Sequence, residues 1–482
     1  MVLIIHYRVM GESISEMKLS QSSASVTARF DDEHLIGYAG LVPAMRLASQ
    51  AGLYDLVGQH VRIRGDHGAN ASLKIGSLVA GMVAGADSIS DMDVVRHGGM
   101  SRLFAGMRAP STLGSFLRAA TFGHARQVDA VGSRFTVGLD HTSRLFGSGR
   151  NRSPVWVDMD DTVVPVFSPH KQGAAIGYTK TRGLDALIMT ATAEDFAPVI
   201  IANQLRKGSA NSARGAAQLA SDGLALLRRS SVNHRQAWFR ADSGFYGHEL
   251  ITRVMATRAW VSVTVRLTGP VQRAIMSIPD SAWTQIEYPH PVVDPESGEQ
   301  ISRAEVAETT FDAFSSRPDR RGPIPGRLVV RRIPDWRATQ KTTAGQDPLW
   351  AAWRYHAFFT TVPTDSYDTV TVDKIHRGHA VVEQVHSALK NGALAHLPCA
   401  KFAANKIWLT LACLSFNLVR ALATLTTNTR FTMATPATIQ SRLICIPARI
   451  TTSARRIILH LPQNWKWATS WMTMFTTTHT RH

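Results

Sequence analysis

The sequence predicts a mixed α/β fold that follows an α-helical N-terminal region and is interrupted by a β-rich insertion. Apolar residues recur at helical spacing over 34–130, whereas strands and helices alternate over 154–267. Short alternating segments separated by Pro, Gly, Asp and Ser fill 268–370, which is typical of β structure. Helical periodicity returns at 375–391 and 401–426, so we expect the α/β core to resume after the insertion.

The same patterns divide the 482 residues into six segments. We expect a flexible N-terminal segment, a helical region, the first part of the core, the β-rich insertion, the second part of the core and a basic C-terminal region. In chain order these segments are 1–30, 31–150, 151–267, 268–370, 371–426 and 427–482. The first segment is polar and rich in Ser, and Met17 is an alternative start.

The first part of the core reads as three strands, a helix, a strand, a helix and a strand. The segment PVWVDMDDTVVPVF, from Pro154, is β-branched with polar residues interleaved, which indicates a strand. Basic residues in the last turn support a helix over 213–229. The other predicted elements are strands at 174–179, 184–192, 237–246 and 259–267 and a helix at 248–258.

The chain is strongly basic, with 53 Lys and Arg against 36 Asp and Glu and a net charge of +17. An excess of this size favours a polyanionic partner, and nucleic acid before a membrane surface. No uninterrupted apolar run reaches the roughly 18 residues of a membrane span. Cys399, Cys413 and Cys445 are odd in number and fit no CxxC pattern, so we expect reduced thiols in the cytosol rather than disulfides or a cysteine zinc site.

Two candidate functional carboxylates lie at predicted strands. Asp158 and Asp160 share one face of the first strand, because side chains two apart point the same way, and Asp161 points to the other face. Asp is unfavourable inside a strand, so metal binding or a solvent-facing strand end has to explain the cluster. Asp242 closes an apolar strand before the turn at Ser243, where α/β proteins place sites, although capping of the next helix is an alternative.

The third candidate carboxylate, Glu383, lies on a predicted helix, and Asp and Glu are absent from the rest of the chain beyond it. A polar stripe at helical spacing comprises His376, His379, Glu383, His386 and Lys390. A solvated helix face would explain the stripe, and a zinc site made by His379, Glu383 and His386 is a second alternative. That site lacks the H-E-x-x-H spacing of helical zinc ligands.

Asp160, Asp242 and Glu383 together suit the cleavage of phosphodiesters. Two Mg²⁺ ions about 4 Å apart can activate a water or hydroxyl and stabilise the leaving oxygen, and Mg²⁺ prefers carboxylate oxygens. Basic side chains could contact the scissile phosphate or its neighbours. The candidates for this contact are Arg240, His376, His379 and Lys390.

These residues resemble the motifs of the DDE transposases of bacterial insertion sequences, over about residues 100–450. The family's D-x-T motif matches Asp160 to Thr162, and its D-x-G/S-F/Y element matches the segment that begins at Asp242. The Y-x2-R-x3-E-x6-K signature matches in spacing at His376, His379, Glu383 and Lys390, with His in place of Tyr and Arg. Arg377, beside the first of these, could substitute for a basic member of the signature.

The resemblance implies an RNase H-like core with catalytic, metal-binding carboxylates at Asp160, Asp242 and Glu383. It leaves Asp158 as the reserve first ligand. Two Mg²⁺ ions, with Mn²⁺ as a substitute, would support cut-and-paste transposition. The partners would be DNA at terminal inverted repeats and at the target, together with a second copy of the chain in a synaptic dimer. The expected location is the bacterial cytoplasm, at the nucleoid.

Three details stay open at the level of sequence. The helical region 31–150 could bind DNA or support the catalytic core by packing against it. A hairpin intermediate is a feature of relatives with this signature, and the two His positions leave its use here undecided. The alternative functions are an RNase H-like DNA nuclease and an inactive, transposase-derived DNA-binding protein.

Overall fold

A ten-stranded mixed sheet and a smaller three-stranded sheet organise the protein, in a computed structural model that describes residues 28–65, 67–293, 300–315, 322–334, 353–454 and 456–480. Most of the segment predicted to be flexible, 1–30, lies outside these ranges. The strands are β1 (Leu35–Ile36), β2 (Val155–Pro165), β3 (Ala175–Ile176), β4 (Arg182–Ala193), β5 (Phe196–Lys207), β6 (Ala237–Ala241), β7 (Trp260–Val265), β8 (Thr284–Val293), β9 (Gln300–Ala313), β10 (Ile324–Pro334), β11 (Trp353–Thr360), β12 (Ala448–Ser453) and β13 (Arg456–His460).

The large sheet has the order β3-β4-β2-β6-β7-β11-β10-β9-β8, and β5 pairs with β4. β2, β4 and β5 are antiparallel neighbours, whereas β2, β6 and β7 run parallel. Parallel neighbours need crossover connections, and the helices Ala216–Leu227 and His248–Met255 lie in the two connections that lead to β6 and β7. The carboxyl ends of β2 and β6 therefore point to the same edge of the sheet.

The structure corrects one predicted strand and contains a further strand that was not predicted. The segment 174–179 contains only the two-residue strand β3, and the third long strand is β5, which the sequence analysis did not identify. β5 forms a hairpin with β4 through the turn at Glu194 and Asp195, and its sequence FAPVIIANQLRK lacks the alternation that marks a half-buried strand. The predicted helix at 213–229 and strand at 259–267 correspond to the observed elements within a few residues.

The segment predicted as an insertion adds strands to the same sheet. β11 pairs with β7, and β10, β9 and β8 follow it in an antiparallel series. A small separate cluster of Ile286, Ala304, Val306 and Ile333 packs the outer strands. These strands continue the central sheet outward, and their treatment as a domain with its own boundaries stays a prediction.

The helices form a layer around the sheet and a bundle at the N-terminal side. Their bounds are Leu41–Gln50, Leu53–His60, Ala71–Ala84, Met100–Leu103, Pro110–Ala119, Phe122–Ser143, Ala216–Leu227, His248–Met255, Gly269–Met276, Thr369–Arg377, Val381–Lys390, Phe402–Leu425, Thr429–Thr432, Pro436–Ile439 and Ala468–Thr480. One contiguous hydrophobic core joins residues of the N-terminal helices, the sheet and the C-terminal region.

The helix Phe402–Leu425, called the central helix below, joins these parts. Its length and composition would allow it to cross a membrane, but 94% of its most apolar window is buried inside the protein. It packs against the helices Ala71–Ala84 and Phe122–Ser143 and against β5. Asn417 in its interior accepts a hydrogen bond from the backbone N–H of Ile200 at 2.9 Å and donates one to the carbonyl of Ile200 at 2.7 Å. The central helix is therefore a core helix of the protein.

The C-terminal region returns to the beginning of the described chain. β12 pairs with β1 on one side and with β13 on the other. Trp471, in the last helix, is buried and its indole N–H donates to the carbonyl of Leu443 at 3.1 Å. The region predicted to be basic thus packs onto the N-terminal part of the chain.

Candidate active site

Asp160 and Asp242 lie next to each other where the parallel pairing of β2 and β6 ends, although β2 itself continues to Pro165. The last paired residues of β2 and β6 are Met159 and Ala241, and each aspartate directly follows one of them. The side chain of Asp242 accepts a hydrogen bond from the backbone N–H of Gly244 at 2.9 Å, which fixes the turn after β6. Two carboxylates thus meet just beyond the carboxyl side of the parallel-paired segment, the side on which α/β proteins place ligands.

Asp158 is fully buried and is held by two basic side chains. Arg240 donates from Nε and Nη2 to the two oxygens of Asp158, at 2.7 Å each, and His379 Nδ1 lies 3.0 Å from Oδ1. Burial alone would raise the pKa of Asp158, but the charge of Arg240 and the hydrogen bonds outweigh burial and lower it. The carboxylate of Asp158 is therefore neutralised internally, which favours Asp160 as the first ligand.

Asp160 remains partly exposed and lacks such a strong partner. Its Oδ1 accepts the backbone N–H of Asp161 at 2.8 Å, and its Oδ2 lies 3.6 Å from His386 Nδ1. Burial raises the pKa of Asp160 to about 6, and the charges of Asp161 and Asp242 add to the rise. Burial also lowers the pKa of His386 to about 4, so this imidazole is neutral at pH 7 and does not offset the carboxylate charge.

A second acidic cluster lies on the other face of β2, and the sequence analysis did not identify it. Asp161 forms an ion pair with Arg206, and Arg206 also contacts both oxygens of the buried Asp185, at 3.2, 3.0 and 2.9 Å. Burial raises the pKa of Asp185 to about 7, with Asp161 and Asp160 adding to the rise and Arg206 opposing it. An Asp inside the apolar strand sequence LDALIMTAT was the available signal for this cluster.

The charge of Asp161 also affects the pKa of Asp242. Loss of hydration at the edge of the sheet raises the pKa of Asp242, and the charge of Asp161 adds to that effect. With one arginine between Asp161 and Asp185, the cluster carries excess negative charge when both aspartates are ionised. The edge of the sheet therefore has a potential that favours a cation.

The region 375–391 is helical as predicted, but a 3₁₀ turn interrupts the expected continuous α-helix. The helix Thr369–Arg377 ends at Gly378, a 3₁₀ turn spans Gly378–Ala380, and a second helix, Val381–Lys390, follows. A Cβ at Gly378 would lie 2.8 Å from Nη1 of Arg240, so the turn allows the chain to pass closely over this arginine. The polar stripe is therefore divided between two helices and the turn that joins them, and His379 and His386 both reach carboxylates of β2.

Glu383 lies in the first turn of Val381–Lys390 and is exposed. Among the residues that the structure describes, it makes no hydrogen bond or ion pair. His386, one turn further, is buried and reaches Asp160. Burial lowers the pKa of Lys390 at the end of this helix, and the charge of Asp160 opposes the change. The helix thus lies beside β2, and Glu383 is exposed to solvent.

Three of the predicted phosphate-binding residues are engaged inside the protein. The ring of His376 stacks on Phe358 with centroids 4.0 Å apart, and its Nε2 lies 3.1 Å from the hydroxyl of Thr264. Arg240 is committed to Asp158 as described above. Arg377 donates from Nε to the buried Asp373 at 2.8 Å.

Burial lowers the pKa of His376 well below its usual value, so this side chain carries no positive charge at pH 7. Of the predicted phosphate-binding residues, His379 and Lys390 lie near Asp160. His379 lowers the pKa of Asp160, and the charge of Asp160 raises the pKa of Lys390.

The carboxylates fit a divalent cation in part. Asp160 and Asp242 are hard oxygen donors at adjacent positions, and the raised pKa of each indicates that its negative charge lacks compensation. Within the described ranges, no group of three or more His, Cys, Asp or Glu side chains is arranged to hold a metal ion. Two ligands are thus together, and a third has to come from Glu383 or another neighbour.

Comparison with known proteins identifies the family of the chain. The family model described as transposase DDE domain group 1 matches residues 19–480, which is nearly the whole chain. Among curated proteins, none matches the chain. DDE transposases act on DNA and generally use divalent metal ions, in agreement with the basic charge and the paired aspartates. The match over almost the full length shows that the chain belongs to the DDE transposases.

Proposed function

We propose that this transposase moves an insertion sequence by a cut-and-paste reaction. It would cleave DNA at the terminal inverted repeats of the element and join the freed 3′-hydroxyls to target DNA. The observation that carries the proposal is the pair of carboxylates, Asp160 and Asp242, which follow the last parallel-paired residues of β2 and β6. The strongly basic composition supports a DNA substrate, because phosphate contacts dominate affinity for DNA.

We propose further that the catalytic core is RNase H-like. The strand order β5-β4-β2-β6-β7, with antiparallel strands on one side of β2 and parallel strands on the other, supports this assignment. β2 then supplies the first carboxylate and the end of β6 the second. The strands β8–β11 would be the insertion that separates these two carboxylates from Glu383.

Two Mg²⁺ ions, replaceable by Mn²⁺, are the proposed cofactors, and Asp160, Asp242 and Glu383 would hold them. Such ions supply an activated oxygen nucleophile and stabilisation of the leaving oxygen. The chain contributes the position of the carboxylates. Arg240 and His379 fix Asp158, and Asp158 in turn holds the turn at Gly378 against β2. This arrangement sets where the helix with Glu383 begins.

His379 and Lys390 are the proposed phosphate contacts, and Arg240, His376 and Arg377 act in the proposal as supports of the site. His379 lies beside Asp158 and Lys390 lies near Asp160, so both basic side chains are close to the acidic residues of β2. Transposition requires both ends of the DNA element to be bound at once, so the active form would be a homodimer. It would work on the bacterial nucleoid in the cytoplasm. The helical region 31–150 would add DNA contacts outside the catalytic core.

The deciding experiment is cleavage of a labelled duplex that carries the terminal repeat of the encoding element and its flank. We expect the wild type to cut at the repeat boundary in Mg²⁺ or Mn²⁺ and not in excess chelator. Glu383→Gln should bind the duplex with unchanged affinity and cut at least 100-fold more slowly, since it removes a proposed ligand. Glu249→Gln is the matched control, because Glu249 is an exposed glutamate in the first turn of another helix.

Other outcomes would identify the alternatives. Binding of the repeat without cleavage by any variant would indicate an inactive, transposase-derived DNA-binding protein. Cleavage that depends on metal but ignores the repeat boundary, with no joining to target DNA, would indicate a nuclease. Equal cleavage by Glu383→Gln and the wild type would remove Glu383 from the metal site.

A further inference from the structure

Two aromatic side chains are almost fully exposed in the connection between β2 and β4, one before and one after the short strand β3. This segment, Val166–Thr181, is called the aromatic loop below. Phe167 has 95% and Tyr178 has 103% of the exposure of a free side chain. Single exposed aromatic residues are common at protein surfaces, so exposure alone means little. Two such rings in one connection need a reason, because each leaves a large apolar face in water.

The aromatic loop is anchored at its base and at its middle. The guanidinium of Arg182 donates to the carbonyl of Ser168 at 2.7 Å and to that of Pro169 at 3.0 Å. Gln172 donates from its backbone N–H to the carbonyl of Ala400 at 2.8 Å, and its side chain accepts the N–H of Phe402 at 3.1 Å. The loop is therefore tied to the start of the central helix while its two rings point away from the protein.

The loop also lies at the edge of the sheet that carries the paired aspartates. β2 leads from Asp160 into the loop, and an extended residue advances about 3.3 Å, so Phe167 lies within about 25 Å of Asp160. That distance corresponds to roughly seven base pairs of duplex DNA. Asp and Glu are absent from the loop sequence, and Lys180 is exposed, whereas the ammonium of Lys171 donates to the carbonyl of Leu397. A polyanion that reaches the aspartates would therefore meet the loop.

We propose that the aromatic loop binds unpaired bases of the DNA near the cleavage position, by stacking Phe167 and Tyr178 on them. The inference rests on the proposed function, and it adds to it a preference for locally opened DNA. Every base has a flat π face, so two exposed rings on an anchored segment with positive charge suit single-stranded DNA without regard to sequence. Bases within an intact duplex are stacked on each other and offer these rings no face.

The anchoring strengthens the inference because it lowers the entropic cost of binding. A mobile loop loses backbone conformational freedom when one of its rings stacks on a base. The hydrogen bonds of Arg182 and Gln172 already restrict the backbone of this loop before DNA binds. The loop also keeps its rings apart from the apolar core, since Phe167 and Tyr178 are not part of it.

The test measures binding of the full chain carrying Glu383→Gln, in chelator, so that no cleavage takes place. The probes are a duplex end with an unpaired flank that contains 2-aminopurine and the same end fully paired. We expect the unpaired probe to bind more tightly and its fluorescence to be quenched by stacking. The added double substitution Phe167→Ala and Tyr178→Ala should abolish the quenching and weaken binding of this probe by roughly 5- to 100-fold per ring.

Two comparisons separate stacking from damage to the fold. Phe167→Trp with Tyr178→Phe keeps both rings, so quenching should persist. Phe122→Ala removes an exposed phenylalanine, at 59% exposure, from a helix in the N-terminal region and should leave the preference for the unpaired probe intact.

Equal affinity of the wild-type loop and its double-alanine form for the unpaired probe, without any change in fluorescence, would overturn the inference. A change of dimerisation without a change of binding would overturn it too and would indicate a protein partner for the rings. Neither result would bear on metal-dependent cleavage at the repeat, so the two proposals can fail separately.

Discussion

Two aspartates two residues apart in β2 have opposite electrostatic states. Asp158 is surrounded by Arg240 and His379, whereas Asp160 faces a neutral imidazole and two further carboxylates. Their side chains leave the same face of the strand, so the difference comes from the partners and not from orientation. A carboxylate held without counter-charge destabilises the folded protein until a cation or a proton binds to it.

Substitution of these two residues should therefore change stability in opposite directions. In metal-free protein at pH 7, Asp160→Asn should raise the free energy of unfolding, by up to about 3 kcal/mol for a pKa raised to about 6. Asp158→Asn should lower it by about 3–5 kcal/mol, because it leaves Arg240 buried without its anion. Urea unfolding at pH 7 in chelator measures both changes.

The pH dependence gives an independent check. A raised carboxyl pKa means that the folded state holds its proton more tightly than the unfolded chain. The contribution of Asp160 therefore disfavours folding increasingly as pH rises from about 4 to about 6, and it stays constant above that. The difference between Asp160→Asn and the wild type should vanish near pH 4. A difference that is constant from pH 4 to 7 would contradict the assignment of this pKa to Asp160.

At the scale of elements, sequence patterns located most strands and helices but not their junctions. β2 and β6 were predictable because each has a β-branched or apolar run followed by a polar turn, and their parallel pairing brings Asp160 beside Asp242. The break at Gly378 was not predictable, since the spacing of His379, Glu383 and His386 is equally compatible with one helix. It depends on the close approach of Arg240, which is a tertiary contact.

The same reasoning explains the missed strand and the missed cluster. β5 is buried along most of its length, and a buried strand lacks the alternation that reveals its period. Arg206 and Asp185 face each other across β4 and β5, so their ion pair follows from strand register and not from a local motif. Ion pairs that depend on strand register produce no local sequence pattern, so a single sequence does not predict them.

The central helix has one polar residue whose removal should be costly. Asn417 satisfies both backbone groups of Ile200 in β5, next to an irregularity in the β4–β5 register. Asn417→Leu leaves a buried N–H and a buried carbonyl without this partner, and each loss costs about 1–3 kcal/mol. We expect a loss of about 2–5 kcal/mol in the free energy of unfolding.

Urea unfolding monitored by circular dichroism measures this change. Asn233→Leu is the matched control, because Asn233 is exposed, and it should shift the free energy by less than about 0.5 kcal/mol. A loss no larger than that of the control would mean that Ile200 finds other partners when Asn417 is absent.

At the scale of the whole molecule, the net charge of +17 should dominate binding to DNA. Each phosphate neutralised by Lys or Arg releases condensed counterions, so affinity falls as a power of the salt concentration. With roughly six to ten phosphate contacts, affinity for duplex DNA should fall by about 10³- to 10⁵-fold between 50 and 200 mM salt. Fluorescence anisotropy across a salt titration measures the slope.

A single charge can be traced in the same titration. Lys390→Gln should reduce the slope of log affinity against log salt by about one if Lys390 contacts a phosphate, as we propose. An unchanged slope for this variant would remove Lys390 from the contact set, and a flat titration of the wild type would contradict the electrostatic mode of binding altogether.

The pairing of β1 with β12 has a consequence for synthesis of the protein on the ribosome. The N-terminal helices are synthesised first, but their apolar faces pack on the central helix, which is synthesised much later. β1 likewise cannot pair until β12, near the other end of the chain, has been synthesised. Contacts so distant in sequence form slowly and late. Nascent or prematurely terminated chains should therefore expose apolar surface and aggregate or be degraded. Completion of the transposase fold is thus coupled to completion of translation.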